Sequence, residues 1–169
     1  MIAEGVWVAL AAALAVGIPG IFAALGVGIT GVAASAVAAE DPKKAYKALF
    51  YVIMPGTQGI YGFVAAFLIV LTTGLKVAQS AGGGLEILLK SSIAGIPNIG
   101  LLVLMCALPA ILQGITSYFQ GKVASAAVSA FGKKPEVFAA GTMYVVAVEL
   151  YAILGLLSTI LMLSLTGIL

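Results

Sequence analysis

Pro135 to Leu169 reads PEVFAAGTMYVVAVELYAILGLLSTILMLSLTGIL, and after Glu136 its single charged residue is Glu149. A helix needs about 20 apolar residues to cross a bilayer, and this run exceeds that. A charge near the bilayer centre costs about 2.5–3.5 kcal/mol on insertion scales. Acids in such places have partners and mark ion or proton paths. The stretch therefore reads as a membrane-spanning helix, with Glu149 as the candidate functional group.

The rest of the chain agrees with a lipid setting. Its 169 residues are 63% hydrophobic and 8% charged, whereas soluble domains carry about 25% charged residues. There are eight lysines, no arginine, no histidine and six acids, for a net charge of +2. That charge gives no reason to expect a nucleic-acid partner. Cys106 is the lone cysteine, so no disulfide framework or thiolate metal site is expected. Without histidine, His-based triads and common zinc chemistry fall away. The N-terminal MIAEGVWVALAAALAV carries Glu4 and lacks a basic leader, so it reads as the start of a span rather than a signal peptide.

Four apolar segments appear, at 5–39, 46–75, 94–130 and 137–167. The expected fold is an all-α membrane protein of four transmembrane helices in two tandem-repeated helical hairpins. Residues 1–75 form the first hairpin, 76–92 an extracytoplasmic linker containing Gly82-Gly83-Gly84, and 93–169 the second hairpin. An ungapped shift of 90 residues places Pro19 on Pro109, Gly31 on Gly121 and Ala34-Ser35-Ala36 on Ala124-Ser125-Ala126. It also places Lys43-Lys44 on Lys133-Lys134, Tyr61 on Tyr151 and Gly59 on Glu149. An even number of spans separates equivalent points, so the repeat is parallel, unlike the inverted repeats of many transporters. Lysines 43, 44, 47, 133 and 134 put the turns 40–47 and 131–136 in the cytoplasm, with both termini outside. Trp7 then falls near the outer interface. Residues 5–39 as one helix run about 50 Å, past a hydrocarbon core of about 30 Å.

Counting from the cytoplasmic turns gives depth. Glu149 lies roughly 20 Å from Glu136, Gln120 roughly 16 Å from Phe131, and Gln58 roughly 16 Å from Lys47. Thr57, Gln58, Gln120 and Glu149 thus share one level on three helices. Pro55 lacks an N–H and disturbs the preceding turn, which offers the Met54 carbonyl as a further oxygen. Irregular backbone at this depth is tolerated where it lines a site. A hydroxyl, two amide oxygens, a carboxylate and a carbonyl suit a hard cation. One negative charge matches a monovalent one, Na+. Tyr61 is placed to orient the carboxylate. Any one of these polar residues has a simpler reading, since interhelical hydrogen bonds average about 0.6 kcal/mol and often only hold helices together. Gly82-Gly83-Gly84 has no Walker pattern beside it, so no ATP site is expected in this chain.

At PGTQGIYGF (55–63), FQGKVASA (119–126) and VELYAILG (148–155) the chain resembles the proteolipid K subunits of V-type rotary ATPases, the proteins that form the c-ring, most closely the bacterial sodium-pumping kind. The resemblance covers nearly the whole chain. It implies a Na+ site of the Met54 carbonyl, Thr57, Gln58, Gln120 and Glu149, with Tyr61 bonding the carboxylate. It implies a ring of identical subunits turning in a prokaryotic plasma membrane against a stator subunit that supplies an arginine. It further implies a central stalk and a soluble ATP-hydrolysing head, so the chain is no enzyme on its own. A proton-carrying ring (H+ in place of Na+), a small secondary transporter and a purely structural membrane protein remain as alternatives.

Overall fold

The computed structural model describes residues 2–79, 85–90 and 96–169. Among them are four helical stretches long and apolar enough to cross a membrane: Glu4–Glu40, Pro42–Thr73, Ile99–Lys133 and Pro135–Leu165. Lipid offers no hydrogen bonds, so runs this apolar satisfy their backbone internally as helices.

The first span is one helix, α1 (Ile2–Glu40), of 39 residues, about 58 Å long. Asp41 then caps a turn of 3-10 helix, accepting the Lys43 N–H at 3.1 Å, with Pro42 at its first position. The chain returns as α2 (Ala45–Ile53) and α3 (Thr57–Thr73), joined by a 3-10 turn at Met54–Gly56. Pro55 is the cause, because it cannot donate to the helix. Gly74, at φ +62°, ends α3 in the left-handed conformation glycine adopts without penalty.

Two features go beyond the expected linker. Lys76–Gln79 (β1) and Leu85–Leu88 (β2) pair as a short antiparallel hairpin, Lys76 opposite Leu88. The Gly82-Gly83-Gly84 run lies outside the described residues. The third span is broken into α4 (Ile99–Gln113) and α5 (Thr116–Lys133). Between them Gly114, Ile115, Ser117 and Tyr118 donate to carbonyls three residues back, the tighter 3-10 pattern. The fourth span is α6 (Phe138–Leu165), entered through a 3-10 turn at Pro135–Val137.

α1 packs along α4 and α5, while α3 lies on α1 and α6 lies on α4–α5. Small residues permit the central contact. A side chain at Gly121 would strike the Gly26 backbone, and one at Gly114 would strike Pro19. Such glycine-lined crossings let helix backbones approach closely without help from water. The end of the bundle where α1 begins is tied by Glu4, whose carboxylate accepts the Gly100 N–H at 2.6 Å at the start of α4, where the helix dipole favours negative charge. At the other end Lys44 Nζ donates to Gly132 O at 2.7 Å. Large apolar side chains cover the outside, among them Phe63, Phe67, Leu71, Leu154, Leu157 and Leu161.

The ungapped 90-residue match needs a correction on the outer helices, α2–α3 and α6, which flank the inner helices α1 and α4–α5. α1 ends at Glu40 and α5 at Lys133, and α2 begins at Ala45 and α6 at Phe138, each pair 93 apart. The turn prolines, Pro42 and Pro135, are 93 apart as well. The second turn therefore comes three residues later, and the inner helices keep the 90-residue register while the outer helices follow at 93. Packing agrees: Gly62 faces Pro19, and Gly155 faces Pro109. The counterpart of Glu149 is then Gly56, not Gly59, and the counterpart of Tyr61 is Leu154, not Tyr151. A three-residue slip is nearly one helical turn, so it preserves the faces and leaves the sequence match looking intact.

Candidate cation site

Glu149 sits in the middle of α6 and is 6% exposed. Its side chain points into the crevice between α6, α5 and the kinked start of α3. Gln58 and Gln120 are fully buried beside it.

The carboxylate meets four side-chain donors. Tyr61 OH donates to Oε1 at 2.5 Å. Gln120 Nε2 donates to Oε2 at 2.8 Å, and Gln58 Nε2 approaches the same oxygen at 3.5 Å. Thr57 Oγ1 lies 2.8 Å from Oε2 and also 2.8 Å from Met54 O. The amides are linked, with Gln58 Nε2 donating to Gln120 Oε1 at 2.7 Å. Gln120 Nε2 also reaches Val145 O at 3.0 Å, which fixes its height on α6. Hydrogen bonds to a charged group contribute about 1.5–3 kcal/mol each, so this cage offsets much of what burying a carboxylate costs.

The kink makes the geometry. The 3-10 turn at Met54–Gly56 sets Thr57 and Gln58 at the N-terminus of α3, aimed across at α5 and α6. Thr57, Gln58, Gln120, Glu149, Tyr61 and the Met54 carbonyl all fall within this one cluster. Met54 O is the most remote of them, one hydroxyl away from the carboxylate.

Two polar residues at the site were not expected. Ser117 Oγ donates to Pro55 O, satisfying a carbonyl at the kink. Gln113 Nε2 donates to both Gln58 O and Ala110 O at 3.1 Å, bracing the backbone of a site residue. Its Oε1 is buried without a partner. The sequence held a signal for Gln113, because it precedes Gln120 by seven residues, two turns along the same face.

Every atom that can face a cation here is oxygen, a donor set that suits alkali or alkaline-earth ions. Among the described residues no group of three His, Cys, Asp or Glu side chains comes together. A single carboxylate leaves a divalent ion half neutralised, so the charge count favours a monovalent one.

Most of the chain is also similar to known proteins. Residues 10–69 and 99–162 match the family model that describes the C subunit of ATP synthase. The two segments take in one hairpin each, and their C-terminal ends, at residues 69 and 162, lie 93 apart, as the outer helices do. Over 160 residues the chain is 38% identical to the V-type sodium ATPase subunit K of Enterococcus hirae, spanning 93% of this chain and 90% of that protein. Over 157 residues it is 36% identical to the A-type ATP synthase subunit K of Methanocaldococcus jannaschii, spanning 92% of this chain and 60% of that one.

Proposed function

The chain belongs to the family of the ATP synthase C subunit, and from that premise we propose that it is a rotor-ring subunit of a sodium-pumping rotary ATPase in which Glu149 carries one Na+ per chain. The observation that carries this reading is the Glu149 carboxylate, buried at mid-span among Thr57, Gln58, Gln120 and Tyr61 from two other helices. The 38% identity to a V-type sodium ATPase subunit supports sodium as the cargo.

The work divides among residues as follows. Glu149 supplies the single negative charge, so the loaded site is neutral and crosses lipid without the cost of a bare ion. Gln58 and Gln120 turn their amide oxygens to the ion by rotating the terminal torsion, which is broad and roughly two-fold. Thr57 contributes its hydroxyl oxygen, and the kink at Pro55 keeps the Met54 carbonyl nearby. Tyr61 keeps its bond to Oε1 and so fixes the carboxylate while Oε2 faces the ion. Against a stator, an arginine from another subunit stabilises the bare carboxylate, and the ion leaves. This chain has no arginine of its own and supplies only the acid. Export against the membrane potential costs about 2.3 kcal/mol per charge per 100 mV. Gly56 replaces the acid in the first hairpin, so two hairpins carry one ion. Each ion then receives a larger share of the ATP energy, which suits pumping over synthesis. The chain is a multi-pass protein of a prokaryotic plasma membrane, with residues 40–47 and 131–136 cytoplasmic. Central stalk and ATP-hydrolysing head are other subunits.

Carbodiimide labelling of Glu149 in the purified protein, across pH, tests the reading. Protection by Na+ and not by K+ is expected. Fast labelling indifferent to Na+ would make the ring a proton carrier. No labelling of Glu149 under any condition would remove the site.

A further inference from the structure

The internal contact between hairpins is a template for the contact between copies. Along the inner edge of the second hairpin, Gly100, Val103, Ala107, Ala110, Gly114 and Gly121 are all buried. They lie against α1, with Gly100 at Trp7, Gly114 at Pro19 and Gly121 at Gly26. Ninety residues earlier stand Leu10, Ala13, Gly17, Gly20, Ala24 and Gly31. The first five are exposed and Gly31 is half-buried. Added side chains at Gly17 and Gly20 would meet nothing within 4 Å. The opposite faces show the same imbalance. Ala11, Ala15, Pro19 and Gly26 of α1 are buried, while their counterparts Leu101 and Met105 are exposed and Pro109 and Thr116 half-buried. The chain thus exposes a groove of small residues on one side and a ridge with Leu101 and Met105 on the other.

A tyrosine makes the match specific. Tyr51 of α2 is fully buried in the second hairpin, among Ala124, Val128, Phe138 and Val145. Its hydroxyl donates to Phe138 O at 2.8 Å. In the 93-residue register of the outer helices, the counterpart of Tyr51 is Tyr144, which is 65% exposed. The counterparts of its four neighbours are Ala34, Ala38, Ala45 and Val52. These four line a cavity of about 240 Å³ on the first hairpin, together with Gly31, Ser35 and Leu49.

We propose that a second copy of this chain covers this face, its Tyr144 seated in the cavity between α1 and α2 as Tyr51 is seated within the chain, and its hydroxyl donating to the Ala45 carbonyl. Thr116 of one copy meets Val27 of the next, as Gly26 meets Ser117 internally. A contact joining two different faces is heterologous, and with parallel hairpins it repeats around a membrane-normal axis until a ring closes. In that junction Gly56, Leu150 and Tyr151 stand where Glu149, Thr57 and Gln58 stand inside the chain. The interface between copies therefore carries no cation, and the sites alternate with acid-free junctions. This assignment rests on the rotor-ring reading and adds the faces and residues that meet.

Cysteine cross-linking tests it, on a background in which the buried Cys106 is replaced by alanine. The double variant Val27→Cys/Thr116→Cys, oxidised in the membrane, is expected to give a ladder of linked copies on denaturing gels. Either single variant is expected to give none. Native mass measurement of the unoxidised double variant reports whether copies associate at all. An oligomer with no ladder, or with links in a single variant, would overturn the pairing and leave the ring intact. A single-chain particle would overturn both. Tyr144→Ala is expected to lower the temperature at which the oligomer dissociates, and Tyr144→Phe to retain most of it. Equal resistance in Tyr144→Ala and the parent would overturn the seat of the tyrosine.

Discussion

Replacing Glu149 with glutamine separates charge from shape. Oε2 faces three donors, from Thr57, Gln58 and Gln120. The glutamine carbonyl takes that place without loss of a partner. The amide nitrogen then replaces Oε1 and donates to the Tyr61 hydroxyl, which also accepts. The variant should therefore fold and assemble as the parent does. Sodium binding is another matter. With the carboxylate gone, the loaded site carries a net positive charge in mid-membrane, a cost of at least about 2.5–3.5 kcal/mol. At 1.4 kcal/mol per factor of ten, Na+ affinity falls by roughly 60- to 300-fold. Equilibrium dialysis with radioactive Na+ on the purified protein measures this, with its native mass as the control. Transport by the whole complex should cease. Undiminished Na+ binding in Glu149→Gln would refute the assignment of the carboxylate as the ion's counter-charge. Failure to assemble would show the carboxylate to be a helix clamp instead.

Thr57→Ala removes the hydroxyl oxygen assigned to the ion, 2.8 Å from Oε2, and a polar contact to a charged group is worth about 1.5–3 kcal/mol. The Na+ concentration that half-protects Glu149 from carbodiimide should rise about tenfold or more, with assembly unchanged. Gln113→Leu leaves Gln58 O and Ala110 O without their side-chain donor but also removes a buried oxygen that has no partner. Stability should change little, while half-protection shifts by about three- to tenfold, since one net hydrogen bond amounts to about 1 kcal/mol. Gly121→Ala places a methyl 2.5 Å from the Gly26 Cα, and overpacking of this kind costs about 1–3 kcal/mol. Its helical circular dichroism should be lost at a clearly lower temperature than the parent's.

Four spans, a duplicated hairpin and a lone intramembrane acid were legible in the sequence because each depends on local composition. Twenty apolar residues in a row have one stable form in lipid, and helical rise converts residue counts into depth. That arithmetic is enough to place Thr57, Gln58, Gln120 and Glu149 at one level. Which way those side chains point depends on how the helices rotate and slide, and that is set by contacts far apart in the chain. The three-residue slip of the outer helices shows the limit. It moves the partner of Glu149 from Gly59 to Gly56 and that of Tyr51 to Tyr144, while the apolar faces repeat almost unchanged. The break at Gly114-Ile115, the bracing role of Gln113 and the capping of α4 by Glu4 likewise come from packing. Sequence alone determined the spans, the repeat and the charge that must be satisfied. Tertiary structure decided the register, because close contacts such as Gly121 on Gly26 and Gly62 on Pro19 select one height among several that hydrophobic pattern allows.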